Sequence, residues 1–238
     1  ICYKAPWLLS SARAKGVQAK LYEDAGLYDC DEIFSCYGKE AKYVVDLSSY
    51  PQLDLARQIA REFRGYDLSF IGLDGLLREH DLLPIFEPEQ IGLSYLEGAF
   101  EYHKVLPELR ARLCTDYDAH IAKLDDGRPW MPAFFSVGCD RKCGYCYVGY
   151  TSFPHGFIAL DRARAIIDFY ASRNVNVHFF DEDFFAHPEI DAILACLRGT
   201  DIRWICLTTS VSLAEAIKKH GQDYLVEAGN VMNEVGVE

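Results

Sequence analysis

The sequence predicts an α/β protein in two parts: an N-terminal Rossmann-like unit and then a partial (β/α) barrel, with a doubly wound sheet as the other solution for the second part. Two patterns carry this. A strand–helix–strand order occupies the chain before residue 95, and strict strand–helix alternation runs from Met131 to the end. The turn-rich Asp125-Asp126-Gly127-Arg128-Pro129 separates them. The expected domains are residues 1–95 (Rossmann-like), 96–128 (helical connector) and 129–238 (barrel portion).

Pro6 to Lys15 is amphipathic and stops at Gly16, and Val17–Tyr22 alternates as a strand would. Ala41–Asp46 is a second strand. Ser48-Ser49-Tyr50-Pro51 resembles an N-cap before a helix over Gln52–Arg64, which Gly65 ends ahead of a buried strand, Asp67–Gly72. Parallel strands joined through a helix are the expected result, with the unit's first strand missing. From Ser94 to Leu124 the spacing of Leu96, Phe100, Val105, Leu106, Leu109 and Leu113 is helical. Beyond the linker the expected order is strand Met131–Val137, a cysteine loop, helix Asp161–Arg173, strand Asn176–Phe180, helix Pro188–Arg198, strand Ile202–Thr208, helix Ser212–Ala228 and strand Glu234–Glu238.

Half of the 238 residues are hydrophobic and a quarter charged, enough apolar surface for a packed core and too much for disorder. Against 24 Lys and Arg stand 36 Asp and Glu, a net charge of −12, which disfavours nucleic acid or an anionic membrane as the main partner. No run reads as a membrane span, the first residues lack the basic-then-apolar pattern of a signal peptide, and nine cysteines, an odd number, argue against a disulfide framework. A reducing, cytoplasmic setting is expected, where a tight cysteine cluster holds metal or does chemistry. Ile1 at the start and Asn233–Glu238 at the end give the expectation of a fragment cut at both ends.

One such cluster exists. Gly138-Cys139-Asp-Arg-Lys-Cys143-Gly-Tyr-Cys146 places three cysteines at Cys-x3-Cys-x2-Cys spacing directly after a strand. Three thiolates on so short a loop can face one centre, as soft ligands for an iron–sulfur cluster or zinc do. Arg141 and Lys142 offset part of their negative charge. Closed zinc sites and electron-transfer [4Fe–4S] clusters usually take four protein ligands, whereas three leave a metal position open. A zinc site completed by Cys114, Cys196, Cys206 or His155 is the alternative, and the other cysteines are otherwise small buried hydrophobes.

Cys139-x3-Cys143-x-Tyr145-Cys146, with an aromatic residue before the third cysteine, resembles the signature of radical S-adenosylmethionine (radical SAM) enzymes. The resemblance implies a [4Fe–4S] cluster on Cys139, Cys143 and Cys146, with Tyr145 near the adenine. It also implies S-adenosylmethionine on the open iron, cleaved after one-electron reduction to a 5′-deoxyadenosyl radical. An electron donor such as flavodoxin or ferredoxin is the partner it implies. Further cofactor contacts are expected at strand ends: Asp181 and Asp183 at the cationic ammonium, Thr208 and Ser210 at the ribose or carboxylate, and Glu238 at the ribose hydroxyls. Plainer roles stand beside these, an acidic turn for Asp181 and Asp183 and an N-cap for Ser210.

The domain order is similar to the subgroup with an N-terminal cobalamin-binding domain, which includes methyltransferases and ring-forming enzymes. The Asp-x-His-x-x-Gly motif for a lower cobalt ligand is absent, which leaves cobalamin open; His80 near a strand end is the one candidate weighed, against a plain surface histidine. A methylthiotransferase-like enzyme would need Cys2, Cys30 and Cys36 to hold a second cluster. Two non-enzymatic or accessory readings also stand: a cluster-bearing scaffold or electron carrier, and an N-terminal module that binds a peptide or carrier protein. Tyr147–Gly156, rich in aromatics, suits a loop over a flat substrate, whose identity the sequence does not carry.

Overall fold

The structure, a computed structural model, describes residues 4–22, 27–47, 53–72, 84–105, 127–141, 143, 144, 146, 148 and 155–236. The chain divides into two compact units, Ile1–Arg110 with Gly144–Phe153, and Ala111–Cys143 with Pro154–Glu238. His80, Cys2, Cys114, Tyr145 and Glu238, and the connector residues 106–126, lie outside the described residues.

In the first unit, α1 (Lys4–Ala14) buries Trp7, Leu8, Leu9 and Ala12. Residues 17–22, expected as a strand, form no ladder, and Val17 and Tyr22 stay exposed. Alternation alone does not make a strand without a neighbouring edge to pair with. A helix absent from the sequence reading, α2 (Leu27–Tyr37), follows; Cys30 and Phe34, one turn apart, point into the core. β1 (Lys42–Leu47), α3 (Leu53–Glu62) and β2 (Asp67–Gly72) form the expected strand–helix–strand, paired parallel from Lys42↔Asp67 to Leu47↔Gly72. Residues 84–86 add a further extended segment: the Phe70 amide donates to the Pro84 carbonyl at 2.9 Å, and the Phe86 amide to the Phe70 carbonyl at 2.9 Å. Phe34 anchors the core, its ring 4.0 Å from that of Tyr43 and 4.2 Å from that of Phe63. α4 (Tyr95–Glu101), capped by Ser94, packs on α1 through Gly98, where a Cβ would stand 2.0 Å from the Trp7 carbonyl oxygen.

The second unit runs β3 (Trp130–Ala133), β4 (Ser136–Val137), β5 (Gly156–Phe157), α5 (Leu160–Ala171), β6 (Asn176–Phe179), α6 (Ile190–Arg198), β7 (Trp204–Thr209), α7 (Ser210–His220), α8 (Gln222–Glu227) and β8 (Asn230–Gly236). Four strands form one parallel sheet in the order β3-β6-β7-β8, so neighbours in space are successive in the chain. This is the mixed α/β fold with a parallel sheet that the alternation predicted. On one face Phe179 packs against Phe135 (ring centroids 4.8 Å) and Phe184 (4.6 Å), and Phe184 packs against Trp204 at 5.2 Å. Trp204 is fully buried and its indole N–H donates to the Ala228 carbonyl at 2.7 Å, so its one polar atom costs nothing on burial.

Three boundaries differ from expectation. The strand read as Met131–Val137 breaks at Phe134–Phe135, and its second piece pairs antiparallel with β5 (Ser136↔Phe157, Val137↔Gly156). The helix read as Ser212–Ala228 is two helices parted at Gly221, and the last strand begins earlier, at Asn230. Among the described residues no helix is long and apolar enough to cross a membrane.

Candidate functional site

All four sheet strands run the same way, so their C-terminal ends share one edge, the edge where open α/β sheets place their ligands. The segment that carries the cysteines leaves from there. The β4–β5 ladder and a bond from the Ile158 amide to the Phe135 carbonyl (2.8 Å) close its base. Gly138 turns the chain out of β4 with φ 71°, a conformation costly for any residue with a Cβ.

Cys139 and Cys143 are half-buried in this unit, and Cys146, also half-buried, falls in the segment grouped with the first unit; none of the three is in a disulfide. The Arg141 amide donates to Cys139 Sγ at 3.4 Å. Burial pushes the Cys139 thiol above its ordinary value, and the charges of Asp140, Glu182 and Asp183 act the same way, against that amide.

The two acidic residues proposed from the sequence come out differently from each other. Asp183 is buried and both of its oxygens are taken. Oδ1 accepts from Thr208 Oγ1 at 2.9 Å and the Thr209 amide at 3.3 Å. Oδ2 accepts from Ser212 Oγ at 2.7 Å, Thr209 Oγ1 at 3.0 Å and the Arg141 guanidinium at 3.5 Å. A carboxylate has about four lone-pair positions, so this one has no acceptor capacity left over. Asp181, 1% exposed, accepts with Oδ1 alone, from the Phe135 amide at 2.9 Å and Ser136 Oγ at 2.7 Å. Its Oδ2 is buried with no partner among the described residues. Burial outweighs those two bonds and pushes the carboxyl up to about 7.

Thr208 is buried and bonded to Asp183, whereas Ser210 is exposed in the first turn of α7. The residue that caps α7 is Thr209, whose side chain accepts from the Ser212 amide at 3.2 Å, and not Ser210 as the sequence reading allowed. Ser136 and Ser212 were missed in the sequence; for Ser212 the hydroxyl-rich run Thr208-Thr209-Ser210-Val211-Ser212 was the available signal. His178 was missed too. It is buried and stacked on Phe180 at 3.8 Å, and burial pushes it down to about 3, so it is neutral at physiological pH.

The described candidates for a fourth metal ligand are engaged elsewhere or exposed. Cys206 is fully buried and donates to Asn233 Oδ1 at 3.2 Å; Cys196 accepts from Arg164 Nε at 3.3 Å; His155 is exposed and packs edge-on to Phe157. Cys30 and Cys36, weighed for a second cluster, lie on α2 with Cys30 in the apolar core and Cys36 exposed. Six residues apart on a helix, they point about 120° away from each other.

Residues 134–229 match the family model described as the Radical SAM superfamily. No curated protein and no solved structure matches the chain. The matched segment holds the cysteine loop, Asp181, Asp183 and the β6–β7 edge. It supports placement in that superfamily and the reading of an enzyme, and the family implies a [4Fe–4S] cluster and S-adenosylmethionine.

The donor chemistry fits both groups. Three cysteines without disulfides supply soft ligands, and Asp181 Oδ2, buried with no partner among the described residues, is an acceptor of the type that a cationic donor would pair with. Among the described residues no three His, Cys, Asp or Glu side chains are gathered closely enough to hold a metal ion by themselves.

Proposed function

We propose that the chain contains the N-terminal part of a radical SAM (β/α) barrel, binds a [4Fe–4S] cluster through Cys139, Cys143 and Cys146 and cleaves S-adenosylmethionine reductively. The observation that carries this is the Cys-x3-Cys-x2-Cys spacing that follows β4, within the family-matched segment. When bound, the cluster supplies one electron to the sulfonium and an open iron that chelates the amino acid end of the cofactor. The chain's own residues bind and orient. Asp181 Oδ2, buried and without a partner among the described residues, receives the ammonium of S-adenosylmethionine; its Oδ1 is already held by Phe135 and Ser136 and keeps the carboxyl aimed. Thr208 and Ser210 flank the same edge, and Tyr145 and Glu238 complete the contacts that the resemblance implies.

The order of domains favours the cobalamin-binding subgroup, hence a methyltransferase or ring-forming reaction on a substrate of unknown class, with flavodoxin or ferredoxin as electron donor. The test is anaerobic reconstitution of the full gene product with iron and sulfide, then reductant and S-adenosylmethionine. 5′-Deoxyadenosine is the expected product. Formation of neither 5′-deoxyadenosine nor S-adenosylhomocysteine sinks the reading. Absorption spectra with added cobalamin decide the subgroup: no tight binding removes the methyltransferase version.

A further inference from the structure

Asp183, buried at the strand-end edge, accepts five hydrogen bonds from described residues. Four of its five bonds come from one side: Thr208 Oγ1, the Thr209 amide, Thr209 Oγ1 and Ser212 Oγ, all at the β7–α7 junction. These four donors fix the carboxylate, and none of them carries charge. The fifth comes from Arg141, midway between Cys139 and Cys143, whose guanidinium lies 3.5 Å from Oδ2 with its side chain 32% exposed against 6% for Asp183. The same Arg141 gives its backbone amide to Cys139 Sγ. A carboxylate fixed on the sheet edge thus lies beside an arginine whose backbone amide bonds the first cysteine of the loop.

We propose that Asp183 is a positioning residue that holds the Cys139–Cys143 segment against the end of β7 through Arg141. This role rests on the reading of Cys139 and Cys143 as cluster ligands, but the brace itself is a property of the chain without cluster. It differs from the ammonium contact expected for Asp183 from the sequence. It also gives Asp181 and Asp183 separate tasks: Asp181 holds the start of the loop at Phe135–Ser136 and Asp183 its middle.

The experiment compares Arg141→Gln, Arg141→Lys, Asp183→Asn and the Arg141→Gln/Asp183→Asn double variant with the unaltered chain. In the reduced, cluster-free protein, rates of alkylation by iodoacetamide are read at Cys139 and Cys143 by peptide mass spectrometry, with exposed Cys36 as internal reference. Loss of a partly exposed ion pair predicts roughly two- to five-fold faster modification in Arg141→Gln and in Asp183→Asn. The double variant should be no faster than either, and Arg141→Lys should retain most of the protection. In the reconstituted protein the midpoint potential moves in opposite directions: lower in Arg141→Gln, which removes a positive charge, and higher in Asp183→Asn, which removes a negative one.

Unchanged alkylation in Arg141→Gln, or additive effects in the double variant, overturns the proposal whether or not a cluster binds. Non-additive protection in a chain that never takes up a cluster supports the brace and sinks the functional reading instead. If Asp183→Asn does not fold, the half-exposed Arg141 variants decide by the contrast between Gln and Lys.

Discussion

Asp181→Asn separates burial from charge at the sheet edge. In the folded chain the carboxyl is pushed up to about 7 from an ordinary 3.8, because no solvent reaches it and two hydrogen bonds to one oxygen do not compensate for desolvation. Between those values the folded state binds more protons than the unfolded state, so this group's contribution to stability falls as pH rises. At 1.36 kcal/mol per unit, the full window amounts to on the order of 4 kcal/mol. Asparagine keeps a carbonyl oxygen for Phe135 and Ser136 but cannot ionise, so it adds a constant offset and removes the slope. His178 titrates with the opposite sign, since burial holds it neutral while the unfolded state takes up a proton below its ordinary value, and it is common to both proteins. The assay is urea denaturation of the reduced, cluster-free chain from about pH 4 to pH 8, read as the difference between variant and unaltered protein. That difference should grow in favour of the variant by several kcal/mol toward the alkaline end. A difference independent of pH would refute the burial of Asp181, and with it the idea that its orphaned oxygen is kept for a cation.

Cys143→Ala in the reconstituted protein should lose the absorbance near ~400 nm expected of a thiolate-bound iron–sulfur centre; retention means that other residues ligate. Thr209→Val removes both the α7 cap and a donor to buried Asp183, and should cost about 1–3 kcal/mol in urea denaturation. Gly98→Ala brings a methyl group against the Trp7 carbonyl and should destabilise the first unit by at least ~1–3 kcal/mol, visible as a lowered midpoint for Trp7 fluorescence. An alanine there that leaves the midpoint unchanged would mean α1 and α4 do not meet as described.

The alternation from Met131 onward was legible because parallel strands buried on both faces are short apolar runs between amphipathic helices, and Asn176–Phe179 and Trp204–Thr209 show that pattern plainly. Val17–Tyr22 misled because it has the period of a strand without an edge to join. α2 was overlooked because Asp29, Asp31 and Glu32 break up the stretch, although Cys30, Phe34 and Tyr37 keep helical spacing. At the site, cysteine count and spacing pointed to a cluster by local chemistry alone. The acidic pair was equally visible in Asp181-Glu182-Asp183, and the sequence could not tell the two apart.

Separation of the two aspartates is a tertiary fact. Two residues apart in the chain, they meet donors from different segments: Phe135 and Ser136 for one, and Arg141 with Thr208, Thr209 and Ser212 for the other. The sequence by itself determined which kinds of atom are present at the strand ends, soft sulfur and hard carboxylate oxygen, because ligand chemistry belongs to residue type and spacing. Only the packing of β3, β6 and β7 side by side decided which carboxylate is saturated and which keeps a buried oxygen without a partner among the described residues, since hydrogen bonds over 25 to 46 residues of chain exist only once the sheet has brought these segments together.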